Sequence, residues 1–296
     1  MALNIVIGIP TVGRAAVLRE ILIGIEGQTR RPDGILVCGS KPADVAGLEG
    51  LPGVSIFLAQ QPGLPRQRNA LIAAAPDADV MLFLDDDFVM ATDYLAEIEQ
   101  AMMKTPAIVV ATGHVAADGI GGPGLTVPAA EQAIRTAYGR GAGSRARQIT
   151  PVFSGYGCNM AVRLAPMRQH GITFDERLPL YGWQEDVDLS RRLARHGQVV
   201  KVEAAVGAHL GVKLGRNSGL RLGYSQVANP LYLAGKGAGY PLGRALEHIG
   251  RNLVMNMLHA PRPEPYVDRR GRLRGNLLAF RDLLRHRLTP ERVLDL

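Results

Sequence analysis

Three consecutive carboxylates, Asp85, Asp86 and Asp87, follow the apolar run Val80-Met81-Leu82-Phe83-Leu84. Five apolar residues in a row read as a buried strand, so the chain leaves the core straight into a knot of like charge. Carboxylates this close repel one another, and each must take up a proton or find a cation or a donor. Asp85 and Asp87 have the D-x-D spacing that a hard divalent cation accepts when phosphate supplies its remaining oxygens. The competing reading is an acidic turn whose Asp side chains bond their own backbone. A second acidic group, Glu185, Asp186 and Asp188, lies at the start of a helix predicted over Gln184 to His196 and ended by Gly197. Acids there suit the helix dipole by about 0.3–1 kcal/mol each. Asp186 falls with Leu189 and Leu193 at i, i+3 and i+7, so its carboxylate continues an apolar stripe instead of facing water. The dipole would favour an acid anywhere in the first turn; only a site would prefer one on the inner face.

The elements around these acids follow an α/β order. Strands are predicted at Ile5 to Ile9, Gly34 to Cys38, Val54 to Ala59 and the Val80 run. Between them, Leu18, Ile21, Leu22 and Ile25 recur at helical spacing, and Arg66 to Ala75 reads as a second helix. That alternation predicts a mostly parallel sheet with helices on its faces. Ligands bind such sheets at the carboxyl ends of the strands, where Pro10-Thr11, Cys38-Gly39-Ser40 and the Asp85 cluster all fall. Thr92 is predicted to cap a helix through Lys104, with Asp93 in its first turn. Further strands are expected at Ala107 to Thr112 and Cys158 to Arg163. Residues 116–150, rich in Gly, Ala and Arg, are expected to be mostly loop, either a lid or a surface insertion. Two tail stripes, Leu242-Leu246-Ile249-Leu253-Met257 and Leu277-Leu284-Leu288, are expected to pack onto the main domain in preference to a bilayer, with Arg244, His248 and Arg251 elsewhere on the surface.

With 296 residues, 47% of them hydrophobic, the chain can build one large α/β domain or two modest ones. No run approaches the roughly 18 apolar residues of a spanning helix. The N-terminus lacks a basic leader, so a cytoplasmic location is expected. Cys38 and Cys158 support neither a disulfide framework nor a zinc site. The net charge of +7 is polarised: residues 191–296 carry 19 Lys/Arg against 7 Asp/Glu, and residues 1–190 carry 15 against 20. A basic tail fits anionic lipid or a phosphorylated substrate. Nucleic acid is not expected, because the basic residues form no binding module and no aromatic stacking platform.

Several stretches together resemble the family 2 glycosyltransferases, inverting enzymes of the GT-A fold. They are Ile9-Pro-Thr-Val-Gly-Arg14, Gly63-Leu-Pro-Arg-Gln-Arg-Asn69, Leu84-Asp-Asp-Asp87, Tyr156-Gly-Cys-Asn-Met-Ala-Val-Arg163, Phe174-Asp-Glu-Arg177 and Tyr181-Gly-Trp-Gln-Glu-Asp-Val-Asp-Leu189. The tail, Gly271 to Asn276 and Thr289 to Leu294, also looks like the ends of bacterial members that build surface polysaccharides. The resemblance implies a GT-A, Rossmann-like domain over 1–215, with a nucleotide-sugar half at 1–112, an acceptor half at 113–215, and a basic helical extension at 216–296. It makes Asp85 and Asp87 the D-x-D pair for Mn²⁺ or Mg²⁺ and the donor sugar, with Asp86 the variable middle acid. It assigns Pro10, Thr11 and Arg14 to the first nucleotide loop, Arg68 and Asn69 to the donor pocket, Asp186 to the catalytic base within its Glu185-Asp186 motif, and His209 to a further metal ligand. The implied donor is a UDP-, dTDP- or GDP-sugar, and the acceptor a glycan or lipid-linked hydroxyl, with peripheral contact to an anionic membrane. The chain departs from the family at Val37-Cys-Gly-Ser-Lys41, where an acidic pair usually precedes Gly-Ser. Either Asp44 or the backbone would then read the base.

The chemistry suits these residues on its own terms. Cleaving a nucleotide-sugar releases a diphosphate whose charge a metal on Asp85 and Asp87 would stabilise, and a carboxylate such as Asp186 would take the acceptor proton. Two rivals remain at this stage. A haloacid-dehalogenase-like phosphatase would place its Asp pair after the first strand with Thr or Val behind it, whereas here a later strand carries the motif and Phe88 follows. A non-catalytic nucleotide-sugar or glycan binder would not need Asp85, Asp87 and Asp186 all intact.

Overall fold

The structure is a computed structural model that describes residues 2–139, 148–214 and 218–296. In chain order its elements are β1 (Ile5–Pro10), α1 (Ala15–Ile25), β2 (Gly34–Gly39), β3 (Val54–Leu58), α2 (Leu64–Ala73), β4 (Val80–Leu84), β5 (Phe88–Met90), α3 (Tyr94–Lys104) and β6 (Ile108–Asp118). There follow α4 (Val127–Gly139), β7 (Ile149–Pro151), β8 (Asn159–Arg163), α5 (Leu164–His170), α6 (Glu185–Leu193), β9 (Gln198–His209), α7 (Gly219–Gly235), α8 (Leu242–His259) and α9 (Arg269–Leu284). Among the described residues the strands form one 9-stranded sheet in the order β3-β2-β1-β4-β8-β6-β9-β5, with β7 added beside β9. Strands β1 to β4 are mutually parallel, and β6 runs parallel to β9. β8 opposes both β4 and β6, while β5 and β7 oppose β9. The mixed, mostly parallel sheet expected from the sequence is therefore the one that forms.

Contacts divide the chain into two compact units, one of 1–62, 66–173 and 193–215, the other of 63–65, 174–192 and 216–296. The first holds the sheet. Its core joins Ile5, Ile7 and Ile9 of β1 and Val80, Leu82 and Leu84 of β4 to the α1 stripe Leu18, Ile21, Leu22 and Ile25. Because β1, β2 and β4 are parallel neighbours, their carboxyl ends share one sheet edge, and Thr11 N–H donates to Cys38 O at 3.0 Å across it.

Two local expectations need correction in this unit. The N-cap of α3 is Asp93, not Thr92, and its carboxylate makes no cap bond because it accepts the Tyr138 hydroxyl. The described residues of 116–150, namely 116–139 and 148–150, are not mostly loop: β6 continues to Asp118 and α4 fills Val127–Gly139, burying Ala130 and Ile134. Register shifts in the β6–β9 pairing break the two-residue alternation that would have marked the long strand. Residues 140–147, which include most of the second glycine-rich stretch, lie outside the described residues.

The second unit has a small apolar core of Tyr224, Val227, Ala228, Ile249, Ala279 and Val293. Helices α7 and α9 cross on glycine: a Cβ on Gly223 would lie 2.0 Å from Arg272 O, and one on Gly275 would lie 2.2 Å from Leu220 O. The tail stripes pack only in part: Ile249 is buried in this core and Leu288 packs against it, while the other leucines and Met257 of the stripes are less covered. Leu246 and Met257 are each 55% exposed and Leu284 is 83% exposed. The buried side of α8 joins Ile249 of the stripe to Ala245 and Asn256. Amide side chains make this packing: Asn256 donates to Gln226 and Asn276 at 3.0 and 2.9 Å, Gln226 donates to Asn252 at 3.0 Å, and Asn276 donates to Gly223 O at 2.7 Å. Hydrophobic periodicity is blind to a helix face that docks through satisfied polar groups.

Candidate functional site

The Asp85 cluster is built where β4 ends and the chain doubles back. Asp85 N–H donates to Cys158 O and Phe88 N–H to Asp85 O, both at 3.1 Å, so the three acids occupy one tight turn into β5. Each is then held differently. Asp86 is buried, accepts the Thr11 hydroxyl at 2.7 Å and receives Arg14 Nη1 at 2.7 Å. Burial pushes its carboxyl up to about 6 against the pull of Arg14, and the neighbouring Asp87 adds to the rise. Arg14 also donates to Leu214 O at 2.8 Å and reaches Asp87 at 3.6 Å. Asp85 is the most open of the three, with Arg68 Nη2 3.5 Å away; that guanidinium is itself buried, donates to Gly157 O at 2.7 Å and lies over the Phe83 ring.

Asp87 is fully buried. Its Oδ2 accepts Val212 N–H at 2.7 Å, and its backbone carbonyl accepts Leu210 N–H at 2.9 Å. His209 Nε2 sits 3.2 Å from Asp87 Oδ1 and 3.8 Å from Asp85 Oδ2. One ligand atom from each of Asp85, Asp87 and His209 lies within 4.8 Å of the others. Asp87 Oδ1 is buried and makes no hydrogen bond of good geometry; the charged group nearest to it is His209. Two carboxylates and an imidazole thus form a donor set of the kind that holds a divalent cation.

His209 ends the twelve-residue β9 rather than following a short strand. It pairs in register with Asp118 at the end of β6 and bonds its carboxylate. Glycines let the chain pass close beyond this pair: a Cβ on Gly119 would lie 2.0 Å from Leu210 O, and one on Gly211, at φ +66, would lie 2.3 Å from the Gly119 carbonyl carbon. Burial would lower the His209 pKa, but the bond to Asp118 and the nearness of Asp87 and Asp85 outweigh it and raise it to about 10. An imidazolium must lose its proton to bind a metal. We therefore expect the apparent Mn²⁺ affinity to rise as pH climbs from about 6.5 towards 10, with proton release visible in calorimetry across buffers of different ionisation enthalpy. Affinity independent of pH over that window would exclude His209 as a ligand.

Pro10, Thr11, Arg14, Arg68 and the three acids are thus brought to one edge of the sheet, with Asn69 next to Arg68 on α2. Gln67, which sequence reading passed over, donates to Thr11 O at 3.0 Å and Cys38 O at 2.7 Å, tying the β1 and β2 ends together. Asp44 braces the same edge, accepting from Gly13, Ser40 and Lys41 N–H at 2.9, 3.0 and 3.0 Å.

Glu185 and Asp186 belong to the second unit. They follow a loop in which Leu180, Gly182 and Gln184 all take left-handed backbone, at φ 57, 61 and 69. Non-glycine residues there store roughly 1–3 kcal/mol of strain, which surrounding bonds must hold. Gln184 supplies them, its amide donating to Tyr240 Oη at 3.2 Å and His248 Nδ1 at 2.8 Å. Asn229 donates to Trp183 O at 2.9 Å. His248 is therefore half-buried, not a surface residue; burial, with Arg251 and Arg244 nearby, holds its pKa below the usual value despite Glu247, keeping the ring neutral enough to accept. Of the first-turn acids of α6, Asp188 is consumed by Lys236 at 2.9 Å and Arg192 at 2.6 Å. Asp186 is only half-buried and accepts Val187 N–H at 2.8 Å. No sequence motif pointed to Tyr240, His248 or Lys236, because long-range pairs of common polar residues leave no spacing signal.

The sequence profile described as "Glycosyl transferase family 2" matches residues 6–165. No curated protein matches the chain. Among solved structures the chain is similar to S. aureus TarS 1-349, with a TM-score of 0.54, 13% identity, and coverage of 88% of this chain and 72% of that one. It is similar also to GalNAc-T7, solved with UDP, GalNAc and Mn²⁺, with a TM-score of 0.57, 14% identity, and coverage of 99% of this chain but only 56% of that one. TarS 1-349 in complex with UDP gives a TM-score of 0.52 at 12% identity, covering 87% of this chain and 72% of that one. At such identities the likeness speaks to the fold, a GT-A-like α/β architecture with a helical C-terminal region.

Proposed function

The chain belongs to glycosyl transferase family 2, and from that premise we propose that it is a metal-dependent, inverting enzyme. It moves a sugar from a nucleotide-sugar to a hydroxyl of a glycan or lipid-linked acceptor, in bacterial polysaccharide synthesis. The observation that carries this reading is the cluster of Asp85, Asp87 and His209, whose ligand atoms all lie within 4.8 Å of one another. These three residues would hold Mn²⁺ or Mg²⁺, which when bound supplies positive charge for the leaving diphosphate. Pro10, Thr11, Arg14, Arg68, Asn69 and Asp86 line the donor. The UDP in two of the similar structures makes a UDP-sugar the first donor to try. Because the N–H groups of Gly13, Ser40 and Lys41 all engage Asp44, its carboxylate is assigned the role of bracing this loop and not of reading the base.

Asp186 is assigned the base, with Glu185 beside it; it accepts the acceptor proton as the new bond forms, and a single displacement inverts the anomeric centre. Residues 1–215 form the catalytic domain in this reading, with 1–112 serving the donor and 113–215 the acceptor. The extension at 216–296 does more than append to it, since Tyr240, His248, Asn229 and Lys236 brace the loop and helix that carry Asp186. The test is a panel of UDP-, dTDP- and GDP-sugars assayed for binding and turnover with Mn²⁺, with Mg²⁺ and with chelator. Metal-dependent use of one donor supports the assignment; absence of binding to every donor overturns it.

The acceptor side is proposed to work at the cytoplasmic face of an anionic membrane. No helix among the described residues is long and apolar enough to cross one. On α8, Leu242, Leu246, Val254, Met257 and Leu258 are exposed on one side, with Arg244 and Arg251 along the rim. That pattern suits a helix lying in the headgroup layer, where each Arg adds about 1 kcal/mol. Phosphatidylglycerol vesicles should therefore bind the protein at low salt and release it at high salt. Replacing Leu246 and Met257 together by Glu should weaken binding at least about tenfold, given about 1.5–3 kcal/mol for each buried apolar side chain. Equal partitioning of this variant and the native chain would refute the membrane contact.

A further inference from the structure

Asp118 belongs to none of the motifs that mark the site, yet its carboxylate is committed to His209. Oδ1 accepts from His209 Nδ1 at 2.9 Å and from Ile120 N–H at 2.9 Å, and Oδ2 accepts the Tyr156 hydroxyl at 2.7 Å. Tyr156 also presents its ring edge-on to the imidazole, at 88° and 6.2 Å between centroids. The backbone arranges this meeting. Between the pairs Val115↔Gly207 and Asp118↔His209 the register shifts, with three steps along β6 matched by two along β9. An extra residue of this kind re-aims the side chains beyond it, and here it puts Asp118 opposite His209.

From this geometry we propose that Asp118, steadied by Tyr156, is a positioning residue for His209: it fixes the proton on Nδ1 and turns Nε2 towards Asp85 and Asp87 as a metal ligand. A carboxylate only accepts, so a bond to Nδ1 requires the hydrogen there and leaves Nε2 as the ring's free electron pair once the imidazole is neutral. Nε2 is the atom that lies 3.2 Å from Asp87 Oδ1. Carboxylate partners of this sort orient ligating histidines and raise their basicity, and their loss typically weakens metal binding by about 10–100-fold.

The proposal rests on the metal-binding reading of the cluster, and the experiment separates the two. Mn²⁺ affinity is measured from the free-ion electron paramagnetic resonance signal on native protein, Asp118→Ala, Asp118→Asn, Tyr156→Phe and His209→Ala, with circular dichroism to establish folding. We expect Asp118→Ala to weaken Mn²⁺ by roughly 10–100-fold, Asp118→Asn to recover part of that loss through its remaining acceptor oxygen, and Tyr156→Phe to cost less than either. A folded Asp118→Ala chain with native affinity, beside a His209→Ala chain that has lost it, overturns the positioning role alone. Native affinity in His209→Ala overturns the ligand role as well, and the proposal with it. Should Asp118→Ala fail to fold, ¹⁵N imidazole shifts of the native protein with Mg²⁺ decide: protonated Nδ1 with bare Nε2 supports the proposal, and the opposite tautomer overturns it.

Discussion

Asp87→Asn should lower metal-dependent turnover by about 10²–10³-fold, the loss typical when one preorganised stabiliser of transition-state charge is removed. The same change should remove most Mn²⁺ binding. Asp87 has the least room of the three acids to change roles. Its Oδ2 is taken by Val212 N–H at 2.7 Å, and its Oδ1 is buried 3.2 Å from His209 Nε2. Although burial works to raise its pKa, the nearness of His209 and Arg14 and the Val212 bond hold it below the usual carboxylate range. Its stabilising contribution is therefore present above the unfolded value near 3.8 and lost as pH falls through the lower folded value. Asn preserves an oxygen for Val212 while deleting the charge, so the fold should survive. Ala would also strand the Val212 N–H, at a further cost of about 1–3 kcal/mol. Metal titration and thermal melts on the two variants divide the effects: both should lose metal, and Asn, which gives up the charge facing His209 and Arg14 but keeps the Val212 bond, should lower the melting temperature less than Ala does. Undiminished Mn²⁺-dependent turnover in Asp87→Asn would sink the metal assignment.

Why these acids could be found in the sequence, and their supports could not, has a physical explanation. Val80–Leu84 is buried on both faces of the sheet, so its continuous apolar run and the abrupt Asp85 cluster announce themselves without tertiary knowledge. The α1 stripe of Leu18, Ile21, Leu22 and Ile25 is legible for the same reason, since burial alone dictates those positions. Long-range polar partners have no such constraint on spacing. Asp118 sits 91 residues from His209, and His248 sits 64 residues from Gln184. Each pairing depends on where a strand register slips or a helix lands. The α8 stripe misled in part because the helix is held through Ile249 and through Asn256, which bonds Gln226 of α7, with Leu246 and Met257 left exposed. The short β5 escaped as well: three residues paired to β9 carry too little pattern to separate from a turn.

Asp186→Asn should separate chemistry from binding more sharply than any other substitution. If its carboxylate takes the acceptor proton, kcat falls by about 10²–10⁴-fold, while donor affinity and Mn²⁺ affinity stay within about twofold of native, since Asp186 is assigned no part in either. The neighbouring acids make the control. Asp188 is buried and bound to Lys236 and Arg192, so Asp188→Asn should act through stability, lowering the melting temperature and the amount of folded enzyme. A buried charge pair broken from one side costs about 3–5 kcal/mol. Its effect on kcat per folded molecule should be small beside that of Asp186→Asn. The pH profile supplies the second arm: a base that must be ionised gives an acidic limb in kcat, which Asp186→Asn should flatten. Because Gln184 holds the strained turn just before these acids, Gln184→Ala should shift kcat in the same direction, but with the acidic limb intact. If Asp186→Asn keeps native kcat and its acidic limb, the proton acceptor is another group, and Glu185, buried at the same helix start, is the next to replace.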